Sequence, residues 1–219
     1  PEGIGVLINT GSAGTAFSGA QEWTDVTVQA AVRTFVARGG GFIGVGDPTY
    51  WPGDGACFRL SDVLGVDREI GWSLSTDRYP NVVDSHFITD GLALEVGPVA
   101  PEIVPVCDDT EVLELDDGSI HAAVHTLGKG RAVYLAGLPY TVDNSRLLHR
   151  AIWWAAGRDD EFADQFIADD PRVETACYDE AGLLLVTNLS FDEVTTTISG
   201  LDDEVTLAPA GSAWINISA

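Results

Sequence analysis

Methionine is absent from this chain of 219 residues, and lysine occurs once, at Lys129. A natural reading frame opens with methionine, so a chain that begins at Pro1 and has none is expected to be a piece of a longer protein. Positive charge is scarce. Eleven Lys and Arg stand against 34 Asp and Glu, for a net charge of −23. Such a surface repels phosphate backbones and anionic headgroups, which excludes nucleic acid and membranes as partners. Two explanations of the imbalance stand side by side. One is the acid-rich, lysine-poor surface of salt-loving organisms, in which counterions screen the self-repulsion. The other is an acidic protein from a genome whose codons favour arginine. No run approaches the roughly 18 apolar residues of a membrane span. No basic-then-apolar leader is present, and a cytoplasmic location is expected. Cysteine is rare as well. Cys57, Cys107 and Cys177 are odd in number, widely spaced and free of CxxC pairs. That excludes a disulfide framework and predicts reduced thiols with no metal centre.

Apolar residues make up 45% of the chain, enough for a normal core. Their pattern predicts an α/β unit over residues 1–158. "IGVLIN" from Ile4 reads as a buried strand running into a small-residue loop. Val28, Ala31, Val32, Phe35 and Val36 recur at helical spacing, with Thr24 or Asp25 to cap the start and Gly39 to end it. "GFIGV" from Gly41 is a second apolar strand, so the three elements form a βαβ unit in a parallel sheet. A short helix is expected over Phe58 to Leu64, and a loop-rich stretch from Gly65 to Val96. "TEVLEL" and "SIHAAVHTL" flank the turn "DDG" as a hairpin, and "GKG" leads into "RAVYLAGLP". Asp143 or Asn144 is expected to cap a helix over Ser145 to Ala156, with His149 partly buried on it. Beyond Gly157 the composition turns more acidic. Five short alternating segments then predict a small antiparallel β domain over residues 159–219.

Chemistry is harder to find. The turn after "GFIGV" reads Gly44, Val45, Gly46, Asp47, Pro48. Its glycines meet the steric demand of a nucleophile elbow, but no Ser or Cys sits at the apex. What remains is packing, or ligand contact by backbone N–H groups and by Asp47, Thr49, Tyr50 and Trp51 at the carboxyl end of a strand. The loop from Asn9 to Trp23 lacks the GxxxxGK[ST] pattern of a nucleotide site. His121 and His125 lie four apart on one strand, where an even spacing sets both on one face, and no HExxH accompanies them. His86, in a loop beside Asp84 and Ser85, is the histidine most open to a functional role.

Five blocks carry a family likeness: "INTGSAGTAFSGAQEW", "GGGFIGVGDPT", "LSDVLGVDREIGWSLSTDRY", "HFITDG" and "GKGRAVYLAGLPYTVDNSRLLHRAIWWAAG". Together they resemble the 1,3-β-galactosyl-N-acetylhexosamine phosphorylases, also called lacto-N-biose or galacto-N-biose phosphorylases. The last block alone is also similar to the amidotransferase-like domains of some β-galactosidases. The resemblance implies a class I glutamine-amidotransferase-like (flavodoxin-like) domain lacking its first strands, followed by the small β domain. A catalytic (β/α)8 barrel would lie elsewhere in the protein. It implies reversible, inverting phosphorolysis of β-1,3-galactosyl-N-acetylhexosamine, with inorganic phosphate as co-substrate and no other cofactor. The general acid belongs to the barrel, so this chain is expected to hold no catalytic residue. Its expected contribution is part of a substrate-facing wall, from Asp47, Thr49, Tyr50 and Trp51, with His86 a further candidate contact. Homodimerisation through the α/β face fits the same reading. Two other functions stand beside it: a binding or oligomerisation module, and a hydrolase using Cys57 or Cys107 with a histidine. The missing elbow nucleophile counts against the hydrolase.

Overall fold

In a computed structural model, which describes residues 3–12, 17–55, 57–69, 79–97 and 102–217, the chain divides into two compact units, Pro1–Arg158 and Asp159–Ala219. The first contains β1 (Val6–Asn9), α1 (Val26–Ala37), β2 (Gly41–Val45), α2 (Ser61–Leu64), β3 (Val66–Arg68), β4 (Asn81–Val82), β5 (Ile103–Pro105), β6 (Glu111–Asp116), β7 (Ser119–Leu127), β8 (Gly130–Leu135) and α3 (Val142–Ala155). The second contains β9 (Val173–Tyr178), β10 (Leu183–Asn188), β11 (Val194–Thr196), β12 (Val205–Leu207) and β13 (Ser212–Asn216).

Six strands of the first unit form one sheet in the order β1-β2-β8-β7-β6-β4. The expected parallel pairing holds for β1, β2 and β8, but the sheet as a whole is mixed. β1, β2 and β8 run parallel, whereas β7 is antiparallel to both β8 and β6. The reason is local. Two connections of two residues each, Asp117–Gly118 and Gly128–Lys129, fold β6, β7 and β8 into a meander, and β8 then docks beside β2. Asp117 and Gly118 both have positive φ, the requirement of a type I′ hairpin turn. The second turn presses on the end of α1. A Cβ on Gly130 would lie 2.0 Å from the Val36 carbonyl oxygen and 2.4 Å from that of Gly40.

Alternation along the strands fills two layers. Phe42, Ala132 and Tyr134 point toward α1 and α2, where Val32, Val36, Val63 and Leu64 meet them. Ile43, Val45, Val133 and Leu135 point toward α3 and its Leu147, Ala151 and Ala155. Each fully buried Leu, Ile or Phe here contributes on the order of 1.5–3 kcal/mol. Asp25 caps α1 by accepting the Thr27 N–H at 2.7 Å, as the sequence suggests. Ala31, expected on the inner stripe, is exposed. α2 covers only the last four residues of the helix expected from Phe58. α3 starts earlier than expected, capped by the Thr141 hydroxyl. Asn144 is instead buried and spent sideways, donating to the carbonyls of Glu95 and Pro139 and accepting from the Glu95 N–H. His149, expected to be partly buried, is exposed and accepts from the Trp153 indole at 2.9 Å.

All five expected C-terminal segments are strands. They form two sheets, β13-β10-β9 and β11-β12, around a core of Val173, Leu184, Val186, Val194, Ile198 and Leu207. Among the described residues no helix is long and apolar enough to cross a membrane.

Candidate functional site

The carboxyl ends of β1, β2 and β8 meet at the glycine-lined turn. Gly46 takes φ 76°, and a Cβ there would sit 3.1 Å from the Gly11 carbonyl oxygen. Gly44 is close-packed too, since a Cβ would approach Pro48 to 2.8 Å. The backbone donors of the turn are already used. The Gly46 N–H donates to the Leu135 carbonyl at 2.9 Å and the Asp47 N–H to that of Gly11 at 3.3 Å. Peptide dipoles are thus not left open for an anion. The corner is built for packing, and chemistry there must come from side chains.

Of the five sequence-derived candidates, Thr49 is wholly buried. It holds φ 58°, a left-handed conformation that costs a β-branched residue free energy. Three hydrogen bonds fix it. Its N–H donates to Asn9 Oδ1 at 2.7 Å, its carbonyl accepts the Arg59 N–H, and its hydroxyl accepts the Leu60 N–H. Asn9 in turn donates to the carbonyls of Ser18 and Phe17, so it ties the loop after β1 to the loop after β2. Trp23 reinforces that link through its indole N–H on the Ser18 carbonyl.

Asp47, Tyr50 and Trp51 remain half-exposed. A residue not singled out in the sequence joins them. Arg68, at the end of β3, lies with its guanidinium 3.8 Å from the Tyr50 ring centroid and 3.6 Å from Asp47 Oδ1. The separation from Asp47 allows attraction but not a hydrogen bond. Arg68 Nε and Nη1 are buried with no hydrogen-bond partner among the described residues. Its neighbour Asp67 accepts the N–H groups of Phe58 and Arg68 at 2.7 and 2.8 Å. Burial pushes the Asp67 carboxyl up in pKa, and these hydrogen bonds oppose the shift. The Tyr134 phenol, against the Gly46 carbonyl, is pushed far above its usual range by burial and then by the charge of Asp47, with Arg68 opposing. It stays protonated and serves as a donor. The only sequence signal for Arg68 is its rarity as a cation within an apolar-flanked stretch.

His86 is not part of this cluster. Its ring meets Trp154 edge-on at 5.4 Å, on the α3 side of the sheet, whereas Tyr50 packs on the opposite layer. Its N–H donates to Asp90 and its Nδ1 accepts the Ile88 N–H. Of the thiols, Cys57 lies within 3.8 Å of Arg59 Nη1, and Cys107 lies near His125 in the connection from β5 to β6, away from the turn. Burial and the charges of Asp109, Asp62 and Asp108 raise the Cys107 pKa, which keeps it a thiol rather than a nucleophilic thiolate. Part of the loop after β1, residues 13–16, lies outside the described residues, as do residues 70–78 of the "LSDVLGVDREIGWSLSTDRY" block.

Residues 1–160 match the family described as lacto-N-biose phosphorylase central domain. A 1,3-β-galactosyl-N-acetylhexosamine phosphorylase of Lachnoclostridium phytofermentans is 40% identical over 206 residues, covering 93% of this chain and 28% of the relative. One from Bifidobacterium longum subsp. longum is 33% identical over 249 residues, covering 96% of this chain and 33% of its own length. This chain therefore spans about a third of the curated relatives it matches. Among solved structures, a polyextremophilic β-galactosidase from the Antarctic haloarchaeon Halorubrum lacusprofundi has 16% identity and a TM-score of 0.49, over 98% of this chain and 31% of that one. That likeness is too distant to assign the α/β unit to the flavodoxin-like class. The match over residues 1–160 carries the assignment: the chain belongs to the lacto-N-biose phosphorylase family, in the region of its central domain.

Proposed function

We propose that this chain is the supporting part of a disaccharide phosphorylase. The parent reaction is reversible, inverting phosphorolysis of β-1,3-galactosyl-N-acetylhexosamine. A phosphate oxygen attacks the galactosyl anomeric carbon, the glycosidic C–O bond breaks, and a proton passes to the departing oxygen of the N-acetylhexosamine. The products are galactose 1-phosphate and the free amino sugar. The proton donor belongs to a barrel domain outside this chain, and the α/β unit is an amidotransferase-like scaffold without a nucleophile. Its task is to shut water from the site, so that phosphate rather than hydroxide attacks, and to present sugar contacts.

The observation that carries this reading is the corner after β2, in a chain of this family. Its backbone donors are consumed internally and its apex is Val45, yet Asp47 and Tyr50 remain accessible beside an Arg68 with unspent N–H groups, and Trp51 is accessible next in the chain. Aromatic faces suit sugar C–H surfaces, a carboxylate accepts sugar hydroxyls, and a guanidinium donates to sugar or phosphate oxygens. Thr49 serves by fixing the loop that holds its neighbours.

The test uses the full-length protein that contains this sequence. Incubated with lacto-N-biose or galacto-N-biose and phosphate, it releases α-galactose 1-phosphate. Asp47→Asn and Tyr50→Ala each lower kcat/KM about tenfold, a loss of about 1.4 kcal/mol of transition-state stabilisation. No sugar phosphate from the intact protein overturns the reaction. Wild-type kinetics in both variants overturn the wall.

A further inference from the structure

Asp109 and Cys107 lie on the connection from β5 to β6, and His125 lies on β7. Their ligand atoms, a carboxylate oxygen, Sγ and a ring nitrogen, lie within 4.8 Å of one another. This is the one group of three such donors among the described residues. His125 is buried, Cys107 half-buried and Asp109 exposed.

The histidine is oriented from behind. His125 Nδ1 is 2.9 Å from the Val63 carbonyl oxygen, which can only accept, so Nδ1 carries a proton. Nε2 then points at Asp109 Oδ1, 3.1 Å away. In the neutral ring Nε2 holds a lone pair, and a lone pair facing a carboxylate repels it. The arrangement calls for a cation between them. A proton on Nε2 satisfies that pair but leaves the thiol a bystander. A borderline-soft metal ion satisfies all three donors together. A ring N–H donated to a backbone carbonyl is the usual second contact of a metal-bound histidine.

The frame around the cluster is tight. The Val106 N–H and the Thr110 hydroxyl both donate to the Gly65 carbonyl, at 2.9 and 2.8 Å. The Thr110 N–H closes the turn on the Cys107 carbonyl. Gly65 packs so closely that a Cβ would lie 2.3 Å from Thr110 Oγ1 and 2.8 Å from His125 Cβ. Anchored at both ends, the turn aims Cys107 and Asp109 at a fixed imidazole. Cys107 also lines a cavity of about 460 Å³ with Tyr79, Asn81 and Asp108.

We propose that Cys107, Asp109 and His125 form a binding site for a single transition-metal ion of the zinc class, with water as the fourth ligand. Tetrahedral zinc holds its ligands roughly 3.3–3.8 Å apart, so binding opens the Nε2–Oδ1 pair slightly from 3.1 Å and draws in the wider separations, which reach at most 4.8 Å. Binding releases the Cys107 thiol proton to solvent, together with the Nε2 proton wherever the imidazolium is present, and forms S–metal, N–metal and O–metal bonds. The spread of 18 residues between Cys107 and His125 explains why sequence spacing gave no hint of the site. The inference does not depend on the phosphorolysis reading.

The test is zinc titration of the chelator-treated chain, with excess Mg²⁺ to occupy surface carboxylates. One Zn²⁺ per chain is expected. Co²⁺ in its place gives a thiolate-to-cobalt charge-transfer band in the near ultraviolet. Cys107→Ser abolishes that band and weakens Zn²⁺ binding at least about tenfold, and Asp109→Asn weakens it less. Thiol labelling supplies a check within the wild-type protein: Zn²⁺ protects Cys107 while Cys177 keeps reacting. Absence of stoichiometric binding, or binding that Cys107→Ser leaves intact with no protection of the thiol, overturns the proposal.

Discussion

At the scale of single residues, two carboxylates carry opposite pH signatures. Asp25 is exposed, and the Thr27 N–H it caps lowers its pKa below the ordinary 3.8. Its stabilising contribution is present above that ordinary value and fades as pH falls through the lowered one. Asp67 is raised above 3.8 by burial, so its penalty is absent in acid and fully present once pH passes the raised value. Two variants separate these effects in thermal melts run from pH 3 to pH 7. Asp25→Ala falls further below wild type as pH rises. Asp67→Asn, which keeps an acceptor for the Phe58 and Arg68 N–H groups, gains on wild type over the same range. The Asp25 cap was legible in the sequence, because capping is local and depends on a residue two positions away. Thr49 and Arg68 were not legible in their roles. Thr49 takes its conformation from Asn9, 40 positions earlier, and Arg68 gains meaning only beside Tyr50 and Asp47.

At the scale of elements, periodicity located most of the strands and both long helices. It misjudged edges where a side chain turned sideways. The start of α3 is the case: Asn144 looks like a cap but pins Glu95, leaving Thr141 to cap. The interleaving of the hairpins into the main sheet was also hidden, since strand partners across ninety positions leave no local mark. β7 adds an irregularity. A register shift opposite Glu114 puts Ile120 and Ala122, two residues apart, into opposite layers. The two-residue turns make a sharp prediction. Gly118 and Gly130 both lie in the meander, but a Cβ on Gly118 meets nothing within 4 Å, whereas on Gly130 it strikes two carbonyl oxygens. Gly118→Ala is expected to cost about 1–2 kcal/mol, from its positive φ alone. Gly130→Ala is expected to cost about 3 kcal/mol or more by forcing the turn off α1. Urea denaturation of the two variants checks the order, and equal midpoints would remove the close approach from the argument.

At the scale of the whole molecule, a net charge of −23 on 219 residues is self-repulsion that added ions screen. The melting temperature is expected to rise steadily from low salt to molar NaCl, and to respond much less to an uncharged osmolyte. A flat salt response would return the acidity to codon usage. The six-stranded sheet also ends differently on its two sides. Among the described residues β4 is one margin, two residues long and too short to template another strand. β1 is longer, and among the described residues it pairs with β2 alone, with Ile4 and Ile8 nearly half exposed. The two margins thus differ in kind: a strand laid along Val6–Asn9 would run four residues and cover apolar surface, whereas β4 offers two residues.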